Sequence, residues 1–248
     1  MAEHKFPTEV IDLPSLGKVY SKDSPLSDGK IELKYMTAKE EDILMSENLI
    51  KKGVVIDKLL DSLIVTEGIK QKDLILGDKN AVLVAARILA YGPEYTAEVT
   101  NPNDGQRVEY NFDLTKCPFK EPVKGVDYSK NSFEFKTPIG KNKVKFKILT
   151  GADEASIDKE IKQVSKLGMN SNITTKLRHS IIEVDGDSSQ ETIMSFSQNI
   201  LARDSIALRN YIKDVTPDIE LTQEIELGGD TVSVTIPLTV EFFWPQSI

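Results

Sequence analysis

Acid–base or metal chemistry in this chain would have to draw on two histidines, His4 and His179, one cysteine, Cys117, and a few short runs of carboxylates. A histidine works as a base only when it faces a nucleophile. His4 and His179 are far apart in sequence, and His179, beside Ser180 on a helical pattern, reads as a surface or structural residue. Glu40, Glu41 and Asp42, like Asp153 and Glu154, could divide proton work if their environments differed. Each group falls at a predicted helix start, however, where the macrodipole stabilises negative charge with no catalytic role. A hydrolase assembled from these carboxylates and His179 is therefore the lesser reading.

Metal and cofactor signals are equally thin. One cysteine supports neither a disulfide nor a thiolate cluster. The turn Asn101-Pro102-Asn103-Asp104-Gly105 has the shape of a small zinc-ribbon tip, but the paired thiolates are absent. Asp185-Gly186-Asp187 begins like a calcium loop, yet carries glycine at the second position and none at the sixth, so it reads as a turn. No Gly-x-x-x-x-Gly-Lys run and no Rossmann-spaced glycines occur. The chain is expected to be no enzyme, with no catalytic residue, no metal and no cofactor.

What remains is at the two ends. The segment Phe6-Pro7-Thr8-Glu9-Val10-Ile11-Asp12-Leu13-Pro14 mixes apolar residues with proline, a composition suited to lying extended along another surface. Phe242-Phe243-Trp244-Pro245 concentrates three aromatics, including the only tryptophan, and such rings dominate binding hot spots. Rings of that size are mostly buried at home, so closure of the chain's own core is the preferred reading of the tail. The candidate partner-binding residues are Phe6, Pro7, Val10, Leu13, Pro14, Phe242, Phe243, Trp244 and Pro245.

Composition sets the frame for these surfaces. Apolar residues make up 40% and charged residues 28% of the 248 positions, the usage of an ordinary globular protein. The net charge of −8 repels phosphate backbones unless the basic residues are segregated, so nucleic acid is not an expected partner. Residues 1–6 carry charge where a signal peptide needs an apolar run. The longest apolar stretch, 81–91, is interrupted by Arg87 and falls short of the ~20 residues a spanning helix needs. Neither export nor a membrane contact is expected, and a single cysteine suits a reducing compartment.

Pro7, Pro14, Pro25, Gly17 and Gly29 make residues 1–29 an extended arm with turns. Lys30 to Met36 alternates as a strand, and Thr37 with Glu40 forms a capping box for a helix reaching about Lys52. Ile56, Leu59, Leu60, Leu63 and Ile64 mark a second helix, and Asp78 is placed to cap a third, buried one. Strands at 95–100 and 107–114 flank the turn at Asn101 as a hairpin, and 115–131 reads as a linker. A second hairpin around Pro138-Ile139-Gly140 then leads into a helix opened by Thr150 and Asp153. Helical patterns continue through Leu177, Ile181 and Ile182, through Ile193, Phe196 and Ile200, and after Asp204 to Pro217. A closing hairpin turns at Gly228-Gly229-Asp230.

The order of elements repeats. Lys30, Lys34, Thr37 and Glu41 align with Lys143, Lys147, Thr150 and Glu154, and Pro93 later aligns with Pro217, with an insertion among the second half's helices. The expected fold is α+β with two related units, each a strand, a capped helix, further helices and a β-hairpin. The boundaries are an arm at 1–29, a first unit at 30–121, and a second unit at 122–248 that ends in the aromatic tail.

The arm Phe6-Pro7-Thr8-Glu9-Val10 with Leu13-Pro14-Ser15 and Gly17, the segment Tyr35-Met36-Thr37 with Glu40-Glu41, and the terminal Phe242-Phe243-Trp244-Pro245 together resemble the T4-type phage baseplate hub family. Its members are hub subunits or hub-assembly factors of contractile tails. The resemblance implies a non-enzymatic protein, made in the host cytoplasm, that helps form the central hub of the tail baseplate through contacts with other hub proteins. The alternative is a nucleic-acid-binding module derived from a zinc-ribbon-like hairpin at Asn101 to Gly105.

Overall fold

A strand at the N-terminal end, β1 (Thr8–Asp12), pairs antiparallel with β2 (Lys30–Lys34). The computed structural model describes residues 6–101, 105–166, 171–227 and 229–244. Residues 8–12 are thus extended, as the sequence suggests, but they are tied into a ladder. The connection between the strands folds back in turns, with Leu13 and Leu26 buried and the Leu13 N–H donating to the Gly29 carbonyl at 2.8 Å. Gly17 makes this possible: its φ is +74°, and a Cβ there would lie 2.3 Å from the Ser27 carbonyl oxygen.

After β2, Thr37 caps α1 (Ala38–Leu44). The single helix expected to reach Lys52 is broken after α1, because the backbone turns extended at Ser46 (φ −71°, ψ 101°) before a separate α2 (Glu47–Lys52). Gly53, left-handed at φ +69°, ends α2. Next, α3 (Val55–Leu63) buries Val55, Leu59, Leu60 and Leu63, and α4 (Leu76–Tyr91) buries half of its residues, among them Val82, Leu83 and Val84. The expected hairpin follows, with β3 (Glu94–Thr100) paired antiparallel to β4 (Arg107–Asp113).

The second half opens with β5 (Phe133–Lys136) and β6 (Lys143–Phe146), then α5 (Gly151–Ser165) and α6 (Asn172–Ser180). Ile181 and Ile182, expected to continue a helix, instead belong to a strand, β7 (Ile181–Val184). Their spacing from Leu177 is helical, but pairing Ile181 with Phe146 and Val184 with Val144 satisfies the free edge of β6. The chain closes with α7 (Gln190–Asn199), α8 (Ala202–Val215), and the hairpin of β8 (Thr222–Leu227) and β9 (Asp230–Thr235). Helices and small antiparallel sheets make the fold α+β.

Two apolar clusters hold it together. One draws on residues 13–117 and is completed by 219–243, including Ile225, Val232, Phe242 and Phe243. The other runs from Phe133 to Val215, with Val19 and Ile75 reaching in from the first half. The last hairpin and tail therefore return to the core that the first strand helps to build. Close backbone approach fixes this return: a Cβ on Gly77 of α4 would meet the Pro217 carbonyl oxygen at 1.8 Å. The Lys120 N–H also donates to the Asp218 carbonyl at 2.8 Å.

Candidate interaction surface

Two of the carboxylates with a possible chemical role, Glu40 and Asp153, are engaged at the helix starts they open. Glu40 is fully buried and accepts from Lys34 Nζ at 2.8 Å, the Thr37 N–H at 2.9 Å and hydroxyl at 2.6 Å, and the Ser62 hydroxyl at 2.7 Å. Burial pushes this carboxyl up, but the Lys34 ammonium and the two hydroxyls outweigh it and hold the group at about 2. The second half repeats the arrangement at the same spacing. Asp153 accepts from Lys147 Nζ at 2.7 Å and from the N–H and hydroxyl of Thr150, each at 3.0 Å. These are helix starts braced by the preceding strand, as the capping pattern suggests.

Two further aspartates tie loops to helices. Asp78 does not cap α4, whose N-cap is Ile75. Its carboxylate reaches back to accept from the Ser15 N–H at 2.9 Å, the Ser15 hydroxyl at 2.7 Å and the Tyr20 hydroxyl at 2.6 Å. Burial raises the Asp78 pKa, opposed by these donors, and burial together with the Asp78 charge raises that of Tyr20. Asp204, near the start of α8, likewise accepts from the N–H groups of Ile139 and Gly140 at 2.8 Å. Both latches depend on partners distant in the chain (63 positions for Ser15, 58 for Tyr20, 65 for Ile139), which local patterns do not reveal.

His179 is paired with a carboxylate: its Nε2 lies 3.2 Å from Glu160 Oε2, and Arg178 pairs with the same carboxylate. Asp185 and Asp187 form the expected turn, with Asp185 accepting from the Lys143 N–H and Asp187 from the Ser189 N–H. Cys117 is buried and free. Among the described residues no three metal-ligating side chains converge, and no helix is long and apolar enough to cross a membrane. His4 and the turn at 102–104 lie outside the described residues.

The candidate contact residues divide by burial. Leu13, Phe242 and Phe243 are sealed in the first cluster, and Pro14 is buried beside Leu13. These four face the chain's own core, because the turn after β1 and the short helical turn Val240–Phe243 both fold onto it. Phe6 (46%), Val10 (57%) and Trp244 (41%) remain exposed, as does Pro7. Pro245 lies outside the described residues. The structure thus brings both ends of the chain to one core and leaves an apolar residue of each at the surface.

Arg87 holds the tail in place, a role with one sequence signal: it is the charge that interrupts the apolar run of α4. Its Nε donates to the Phe242 carbonyl at 3.1 Å, and its other nitrogens donate to the carbonyls of Gly92 and Glu94. The guanidinium lies over the rings of Tyr91 and Tyr95, 4.9 and 5.9 Å from their centroids. Tyr95 in turn meets Phe242 edge-on at 4.9 Å.

A family model described as "T4 bacteriophage base plate protein" matches residues 7–244, from the residue before β1 to Trp244. No curated protein and no solved structure matches the chain significantly.

Proposed function

The chain belongs to the T4 bacteriophage base plate protein family, and from that premise we propose that it acts in forming the central hub of a contractile tail's base plate. It does so as a structural or assembly protein, through contacts with other hub proteins and without catalysing a covalent reaction. Assembly takes place in the host cytoplasm before the tail is complete. The observation that carries this reading is the extent of the family match, which covers residues 7–244 and so takes in the exposed residues Pro7, Val10 and Trp244, with Phe6 immediately before it. We assign partner contact to these four, since exposed aromatic and apolar side chains on a rigid support are the usual anchors of an interface.

The fate of the carboxylates supports a non-enzymatic role. Glu40, Asp78, Asp153 and Asp204 are each consumed in bracing a helix start or a loop. The nucleic-acid alternative fits poorly with the hairpin that was to carry it: β3 and β4 present Glu94, Glu98 and Glu109 to solvent against a single Arg107. Purifying the tagged chain from infected cells tests the proposal. Enrichment of other base plate hub proteins is the expected result, and recovery of the chain alone would contradict it.

A further inference from the structure

β1 is an edge strand with one side unused. Its ladder with β2 is bounded by hydrogen bonds from the Tyr35 N–H to the Pro7 carbonyl at 3.1 Å and from the Leu13 N–H to the Gly29 carbonyl at 2.8 Å. Bonding alternates along an antiparallel pair, so Glu9 and Ile11 turn their backbone groups towards β2, and Thr8, Val10 and Asp12 turn theirs away. Among the described residues, no backbone hydrogen bond outside the ladder reaches these three. The far side of β2 is occupied: the Val65 N–H donates to the Glu32 carbonyl at 3.0 Å, and the Glu32 N–H donates to the Thr66 hydroxyl at 2.8 Å. Pro7 and Pro14 bracket the open segment, which itself contains no proline.

We infer that β1 pairs with β1 of a second copy of this chain, antiparallel about a two-fold axis through Val10. This register matches all three outward-facing residues. Val10 meets Val10 of the second copy, the Thr8 hydroxyl meets the Asp12 carboxylate, and Glu9 stands opposite Ile11. No carboxylate faces another. A register centred on Glu9 would stack two Glu9 side chains, and one centred on Asp12 two Asp12 side chains, and like charges directly opposite are destabilising. The pairing closes on itself, so neither copy keeps an open β1 edge. Val10, at 57% the most exposed large apolar residue of β1, is covered by its own image.

Two five-residue strands bury little area, so the association is weak. Each copy carries a charge of −8, so screening by salt strengthens it. The inference does not depend on the hub reading, although the two compete for the Val10 side chain. A chain that dimerises without binding hub proteins, or binds them as a monomer, separates the two.

Sedimentation velocity on the full chain from micromolar to millimolar concentration, at low and high salt, is the test. The expected result is a monomer–dimer equilibrium that shifts to dimer with concentration and salt. Val10→Pro removes the outward N–H at the two-fold while sparing the bonds to β2, and Val10→Lys sets two ammonium groups face to face. Each should weaken dimerisation by about tenfold or more, with an unchanged circular dichroism spectrum and melting temperature. A wild-type chain that stays monomeric throughout, a dimer untouched by both variants, or an edge taken up only by a different protein would overturn the inference.

Discussion

The Nε of Arg87 donates to the backbone carbonyl of Phe242 across 155 residues of sequence, fastening the last described turn to the central helix α4. Burial lowers the Arg87 pKa, with the neighbouring Tyr91 and Tyr95 opposing it. The charge is held by three carbonyls and two rings. Replacing it by methionine keeps much of the volume but orphans those carbonyls. Arg87→Met should cost about 3 kcal/mol in urea unfolding and expose the C-terminal segment to limited proteolysis. Phe242→Ala, which empties a fully buried site, should cost a similar ~3–5 kcal/mol.

The two braced helix starts should respond unequally. The Lys34–Glu40 pair is 13% and 0% exposed, the Lys147–Asp153 pair 32% and 21%. Glu40→Ala leaves a largely desolvated ammonium behind and should cost about 3 kcal/mol. Asp153→Ala loses chiefly a cap and a half-solvated pair, and should cost about 1 kcal/mol. Equal losses in urea melts would contradict this ranking.

Glu40 also predicts an acid limb. Its folded pKa is depressed to about 2 from an ordinary 4.5. Its contribution is therefore present above pH 4.5 and is lost as pH falls through about 2. Glu40→Gln should be less stable than wild type at neutral pH, and its stability should fall less steeply across that window.

Asp78 has the opposite sign. Burial raises its folded pKa above the ordinary 3.8, so its share of stability is present below pH 3.8 and declines as pH rises through the folded value. Asp78→Asn cannot ionise and escapes that decline. The gap between this variant and wild type should narrow as pH rises above 3.8 and through the raised folded value, measured by urea unfolding at each pH. A gap that widens would reverse the assignment.

Gly77 is the point where α4 meets the Pro217 carbonyl, whose oxygen would lie only 1.8 Å from an added Cβ. Gly77→Ala gains helix propensity yet must push the two segments apart, and should destabilise the fold by about 3 kcal/mol. A neutral effect in thermal melts would show that this contact yields easily.

Local chemistry was readable wherever a residue's partner lies within a turn or two. Thr37 with Glu40 and Thr150 with Asp153 announce two helix starts by spacing alone, and Gly53 announces a stop. A strand lysine lies beneath each cap, Lys34 under Glu40 and Lys147 under Asp153. Distant partners were not readable. Asp78 looks like a cap until Ser15 and Tyr20 are folded against it, and Ile181 looks helical until Phe146 lies opposite. The aromatic tail was ambiguous for the same reason. Arg87 and Tyr95, far back in the chain, hold Phe242 from its carbonyl and its ring, and both phenylalanines are buried in the first cluster while Trp244 stays out.

The central claim is that the exposed residues at the two ends contact other base plate proteins. Quantitative co-purification from infected cells, comparing the wild-type chain with Phe6→Ala and Trp244→Ala, tests it most directly. The account predicts that hub proteins are enriched with wild type and reduced with each variant, while all three chains melt alike. Undiminished recovery of hub proteins with both variants, or none with wild type, would contradict it.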